Sequence, residues 1–234
     1  MNTSYRLHFA PDNASLIIRL ALEELAQPYE TVLVHRQARA HKSPDYLRLN
    51  PQGLIPVLET PDGPLFETGA ILLWLADRHR ALAPQVGDPQ RGAFLKWLFF
   101  TSNTVHTALR MNFYPDQYIG PDPNRQEELR HHMQKALSGH LSVLNTMAAE
   151  HPSWLGATQP SVLDFYLACL MRWMVLYPEG GSDWYDIGKW PLLREMAARL
   201  EACDSVQSAI HAEGLGATPF TAPQYARPPE GSAT

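Results

Sequence analysis

The sequence predicts a chain of two unlike parts, an α/β N-terminal domain followed by an all-α C-terminal helical domain. Two observations predict this. Short strand-like runs occur at residues 5–9, 29–34, 55–59 and 64–66, and from Arg91 onward nothing reads convincingly as strand. Between the two regimes, Ala83 to Pro89 is a short proline-bearing linker.

Each element has its own local reason. Tyr5 to Phe9 alternates weakly, as a half-buried strand does. Pro11-Asp12-Asn13 is turn chemistry. Leu16, Ile17, Leu20, Ala21 and Leu25 recur at helical spacing, so residues 14–27 read as a helix. Tyr29 to Val34 is the next strand, and a strand–helix–strand unit of this size implies a parallel pair with a right-handed crossover. Residues 36–49 are polar and mixed, a loop with a short irregular helix. Pro61-Asp62-Gly63 separates two short strands as a hairpin turn, and residues 67–80 form an amphipathic helix. The order βαβαββα is thioredoxin-like.

The second half predicts helices over 89–117, 124–149, 161–177, 190–202 and 204–212. Ser161-Val162-Leu163-Asp164 is a capping-box variant opening an apolar run, which assigns Asp164 a structural role. The domains expected are 1–82, 89–213 and a Pro/Gly-rich tail, 214–234, that wraps the surface or frays.

Composition excludes several function classes. A formal net charge of −5 with no basic run argues against a nucleic-acid partner. Cys169 and Cys203 stand in no metal-ligand or Cys-x-x-Cys spacing, which suits a reduced, cytoplasmic protein. The N-terminal residues lack an apolar signal core, and the longest apolar runs are too short to span a bilayer, so no membrane role is expected. The ten histidines show no ligand spacing, so no metal is expected either.

The chemistry-bearing stretch is Asn50-Pro51-Gln52-Gly53-Leu54-Ile55-Pro56-Val57-Leu58-Glu59, with Glu67-Thr68-Gly69-Ala70 following. A proline at the mouth of a strand cannot donate to the ladder. Its X-Pro bond is also the one peptide bond that reaches cis cheaply. Unpaired backbone beside it is a docking edge for an extended peptide. Glu67 and Thr68 begin an apolar helix whose N–H groups and dipole favour an anion. An extended small peptide with an amine and a carboxylate fits both halves.

With these motifs in order and Ser161 to Asp164 in the second half, residues 5–212 resemble the cytosolic glutathione S-transferase superfamily. The resemblance implies glutathione as co-substrate, a helical pocket for a second substrate, and a homodimer. It implies that Ile55, with Leu54 and a cis Pro56, pairs its backbone with the cysteinyl part of glutathione. Glu67 would take the ammonium and Thr68 the carboxylate of the γ-glutamyl end. Gln52 matches a loop position that reaches glutathione, and His41, or Lys42 beside it, falls near the glycyl carboxylate.

The residue that activates the thiol is open at this point. Ala10-Pro11-Asp12-Asn13-Ala14-Ser15 resembles the beta-class turn, but Ala14 replaces its cysteine, which excludes a mixed disulfide there. Ser15 and Asn13 remain as donors, against plain readings as helix cap and turn former. His8 is a further donor or simply a packed histidine. Trp97 to His106 is similar to the beta-class fourth helix, which makes His106 a pocket residue. The adjacent beta-class lysine is Thr107 here, so positive charge is expected to be lower. Phe113, Tyr114 and Tyr118 either line an apolar pocket or pack the bundle, and Trp154, Trp173, Trp184 and Trp190 read as packing.

Three functions follow. One is a transferase that activates glutathione for attack on a small, apolar electrophilic substrate. Another is a disulfide or peroxide reductase using two glutathiones. The last is a glutathione- or ligand-binding protein with little catalysis.

Overall fold

The computed structural model describes residues 5–156 and 158–228. Four strands, β1 (Tyr5–Phe9), β2 (Tyr29–Leu33), β3 (Val57–Thr60) and β4 (Gly63–Phe66), form one sheet in the order β2-β1-β3-β4. β1 and β2 are parallel, with Tyr5 opposite Tyr29, and the other pairs are antiparallel. The parallel pair brackets α1 (Ser15–Glu24), as a crossover unit requires. Pro44 at the first turn and Ser43 as its cap start α2 (Pro44–Leu49). α3 (Thr68–His79) returns across the sheet, and the N-terminal domain is thioredoxin-like.

β3 begins two residues later than the sequence suggests, because its ladder to β1 starts at the Val57–His8 pair. Leu54 and Ile55 therefore precede the sheet. The hairpin turn is held by Thr60, whose hydroxyl accepts from Asp62 N–H at 3.1 Å and donates to the Gly63 carbonyl at 2.8 Å.

The second domain is helical throughout its described residues. The expected helix over 89–117 is broken into α4 (Arg91–Phe99), a π-helical stretch at Phe100–His106, α5 (Thr107–Phe113) and a short α6 (Asp116–Ile119). Pro115 ends the run, and the wide turn has side chains bonded back to it. Ser102 Oγ donates to the Phe99 carbonyl, and Thr107 Oγ1 to that of Ser102. α7 (Pro123–Ala148), α8 (Val162–Leu176), α9 (Pro191–Leu200) and α10 (Asp204–Glu213) follow. α8 is the central helix, buried at nearly every position, and Leu163, Phe165 and Leu167 join one continuous core with Leu16, Ile17 and Leu20 of α1. Its start is a complete capping box between Ser161 and Asp164.

Residues 214–228 wrap rather than fray. Leu215 and Phe220 are fully buried, and Glu201 accepts from the Phe220 and Thr221 N–H groups, each at 2.8 Å. Residues 229–234 of the expected tail lie outside the described residues.

Candidate functional site

A cleft of about 520 Å³ lies between the two halves. Its α/β wall is built from the loop before β3 and the start of α3. Asn50 Nδ2 and the Tyr46 hydroxyl both donate to the Leu54 carbonyl at 2.8 Å, which fixes that loop. Gly53, at φ +60°, lets the chain pass His41, whose carbonyl would lie 2.6 Å from any added Cβ. The Ile55–Pro56 bond is cis. Among the described residues nothing hydrogen-bonds the backbone of Ile55, and Leu54, Ile55 and Pro56 line the cleft.

Glu67 and Thr68 line the same cleft at the N-terminus of α3. Glu67 is exposed and adopts φ +70°, a conformation that costs a non-glycine residue about 1–3 kcal/mol and is concentrated at functional sites. Thr68 is buried to 7% exposure.

The turn before α1 brings Asn13 and Ala14 to the cleft but not Ser15. Asn13 Oδ1 accepts from Ala14 N–H at 2.8 Å, so Nδ2 is the end of the amide left as a donor. Ser15 is fully buried, and its hydroxyl donates to the Ala10 carbonyl at 3.0 Å while accepting from Ala10 N–H. It neither caps α1 nor faces the cleft, because the turn's own backbone captures it. His8 is packed on the sheet against Glu59, with Nε2 to Oε1 at 2.7 Å, and is outside the cleft lining.

His41 and Gln52 also lie outside the lining. Lys42 Nζ donates to the Gln52 carbonyl at 2.9 Å, so this segment braces the loop from behind. Burial lowers the His41 pKa, and Lys42, Arg36 and Arg39 lower it further.

The helical wall is formed by Ser102, Asn103 and His106 of the π-helical stretch, Thr107, Arg110 and Phe113 of α5, Tyr114 beyond it, and α8 with the residues after it. His106 Nδ1 is 2.8 Å from the Tyr166 hydroxyl, which leaves Nε2 as its other polar atom. Burial pulls the His106 pKa down to about 4, with Arg110 adding to the effect, so the ring is neutral at pH 7. Burial pushes the Tyr166 phenol far above its ordinary value, and Glu67 raises it further. Tyr166 thus enters the exchange as a neutral hydroxyl.

Arg36, Asn50, Arg110 and Tyr166 line the cleft without having been singled out from the sequence, and Trp173 lines it although it reads as packing. Two of these carried a signal. Arg110 is four residues past His106 and so shares its helix face, and Trp173 lies seven past Tyr166 on α8. Phe113 and Tyr114 do line the cleft, whereas Tyr118 lies outside the lining, 43% exposed, with its hydroxyl accepting from Arg110 Nε. Among the described residues no cluster of His, Cys, Asp or Glu is arranged to hold a metal ion, and no helix is long and apolar enough to cross a membrane.

Comparison with known proteins agrees with this architecture. The family described as "Glutathione S-transferase, N-terminal domain" matches residues 5–77. Glutathione S-transferase GST-4.5 of Xanthomonas campestris pv. campestris is 29% identical over 216 residues, 90% of this chain and 99% of that one. A sphingomonad glutathione S-transferase solved in complex with glutathione is 28% identical, with a TM-score of 0.72 over 90% of this chain and all of the other. BphK, a bacterial GST solved as a ternary complex, is 30% identical, with a TM-score of 0.74 over 90% of this chain and 100% of that chain. With that identity along a relative's whole length and the same fold, the chain belongs to the glutathione S-transferase superfamily.

Proposed function

We propose that the cleft binds glutathione in an extended form and activates its thiol for attack on a small electrophile. The observation that carries this reading is the unpaired backbone of Ile55, set in the same cleft as Glu67 and Thr68. An extended peptide adds to such an edge by main-chain hydrogen bonds. The cysteinyl residue pairs with Ile55. The γ-glutamyl ammonium meets Glu67, and its carboxylate meets the Thr68 hydroxyl and the α3 N-terminus. The sphingomonad relative, solved with glutathione, supports the same choice of ligand.

In this reading the α/β domain, residues 1–82, holds glutathione, and the helical domain, 89–213, forms the second wall. The thiol loses its proton to solvent, and the thiolate is stabilised by Asn13 Nδ2 and by the N-terminus of α1. Neutral His106, oriented by Tyr166, offers Nε2 to the sulfur or to the partner. Sulfur then forms a bond to the electrophilic carbon as the leaving group departs with its electron pair. Phe113, Trp173 and Tyr177 give the partner's apolar body a surface. Ser15, His41 and Gln52 have no direct role in this scheme.

Calorimetric titration with glutathione tests the site. Glu67→Ala and Thr68→Val should each weaken binding about tenfold or more, and unchanged affinity in both would contradict the assignment. A reductase using two glutathiones is the second reading, favoured by Ala14 at the cleft, where the protein offers no thiol of its own. Aryl halide conjugation assayed against mixed-disulfide reduction separates the two.

A further inference from the structure

The expected loss of positive charge at Thr107 is made good one turn later. Arg110 lines the cleft on the His106 face of α5. Its Nε donates to the Tyr118 hydroxyl and its Nη2 to Gln117 Oε1, both at 3.0 Å. Among the described residues it meets no carboxylate, and its Nη1 is unbonded. The guanidinium lies 5.6 Å from the centroid of the Tyr114 ring. The hydroxyl of that tyrosine accepts from Arg36 Nη2 at 3.1 Å. Two arginines therefore flank one phenol in the cleft wall.

The carboxylates of the cleft do not balance the charge of Arg110. Asp12 gives both oxygens to Arg172, Trp173 and Tyr177. Glu67 stands at the start of α3 in the other domain, where the glutathione ammonium would meet it. A wholly apolar partner would leave the unbonded Nη1 of Arg110 beside it with no anion to accept its protons. A carboxylate is the group that Nη1 would hold most strongly, by a charge-assisted hydrogen bond.

We infer that the second substrate is an anionic electrophile, an apolar body bearing a carboxylate that Arg110 holds beside Tyr114. The inference rests on the reading that glutathione fills the other half of the cleft. A second glutathione is an alternative source of the same carboxylate.

The test uses Trp173, whose indole lines the cleft, as a fluorescent reporter. Fluorescence quenching by 3,5-dinitrobenzoate and by its methyl ester is titrated without glutathione. The wild type should bind the acid about tenfold more tightly than the ester. Arg110→Gln should bring that ratio close to one, and Arg110→Lys should keep part of it. Equal binding of acid and ester by the wild type, or an unchanged ratio in Arg110→Gln, overturns the inference.

Turnover of 4-chloro-3,5-dinitrobenzoate and its methyl ester, each divided by its uncatalysed rate, identifies the source. A fall in the acid-to-ester ratio of kcat/KM in Arg110→Gln supports a small anionic electrophile. A loss confined to reduction of a mixed glutathione disulfide assigns the carboxylate to a second glutathione and overturns the electrophile assignment. Absence of glutathione binding by calorimetry would fail the glutathione reading, while the carboxylate titration still decides the role of Arg110.

Discussion

Arg172 grips Asp12 with both arms of its fork, Nε to Oδ1 at 2.8 Å and Nη2 to Oδ2 at 2.9 Å, across 160 positions of sequence. Both side chains are buried. The Trp173 indole and the Tyr177 hydroxyl donate to the same carboxylate, and Asp12 N–H donates to Glu213 at 2.7 Å. The turn that presents Asn13 is thereby fastened to α8 and α10. The same guanidinium reaches the carbonyls of Leu215, Pro219 and Gln224, so it also ties down the C-terminal segment.

Breaking this pair strands a buried charge. Asp12→Ala should cost about 3–5 kcal/mol of stability, read from denaturant unfolding. A loss below about 1 kcal/mol, the value of an exposed pair, would show that the clamp is dispensable.

Asn13 is the donor this account places at the sulfur. Asn13→Ala should raise the thiol pKa of bound glutathione by about one to two units, the value of a charge-assisted hydrogen bond. Thiolate absorbance of the complex against pH reads this directly. Ser15→Ala should leave the bound thiol pKa where it is, since its hydroxyl is consumed by Ala10.

The depressed pKa of His106, about 4, makes a prediction about acid stability. Between pH 6.5 and about 4 the unfolded chain takes up a proton at this residue and the folded chain does not. Folding therefore weakens as pH falls through that window. Asp164, raised to about 6 by burial, acts in the opposite sense over an overlapping range. The comparison of wild type with His106→Asn cancels the Asp164 contribution. The variant should lose stability less steeply from pH 6.5 to 4, and parallel curves would contradict the burial of a neutral ring.

Asp164 is a structural residue in this account. Its oxygens accept from Gly156 N–H at 2.7 Å, from Ser161 N–H at 2.8 Å and from the Ser161 hydroxyl at 2.9 Å. Ser161→Ala should cost about 1–2 kcal/mol. Asp164→Ala should cost about 3 kcal/mol or more, because it leaves buried donors without an acceptor. A catalytic Asp164 would instead lose turnover with little change in thermal midpoint.

How much of this was legible in the sequence follows from how far apart the cooperating residues lie. The cis Ile55–Pro56 loop, the Glu67-Thr68 start of α3 and the capping box are local patterns, and each appears where its spacing predicts. Ser15 misleads because a hydroxyl at a helix start resembles a cap, and only the fold shows Ala10 capturing it. His41 lies outside the cleft lining, and its neighbour Lys42 donates to the Gln52 carbonyl, a contact three-dimensional rather than local in origin. The pairing of His106 with Tyr166 spans 60 positions, and the Asp12 clamp spans 160. No periodicity reports contacts of that range. The π-helical stretch was equally hidden, because its residues fit an ordinary helix until the cleft is assembled.

A crystal structure with glutathione bound decides whether the Ile55 loop is its docking edge. The cysteinyl N–H and C=O should pair with the backbone of Ile55, the γ-glutamyl end should lie at Glu67 and Thr68, and the sulfur should lie within hydrogen-bond reach of Asn13 Nδ2. Glutathione seated elsewhere, or with the Ile55 backbone still unpaired, would contradict it.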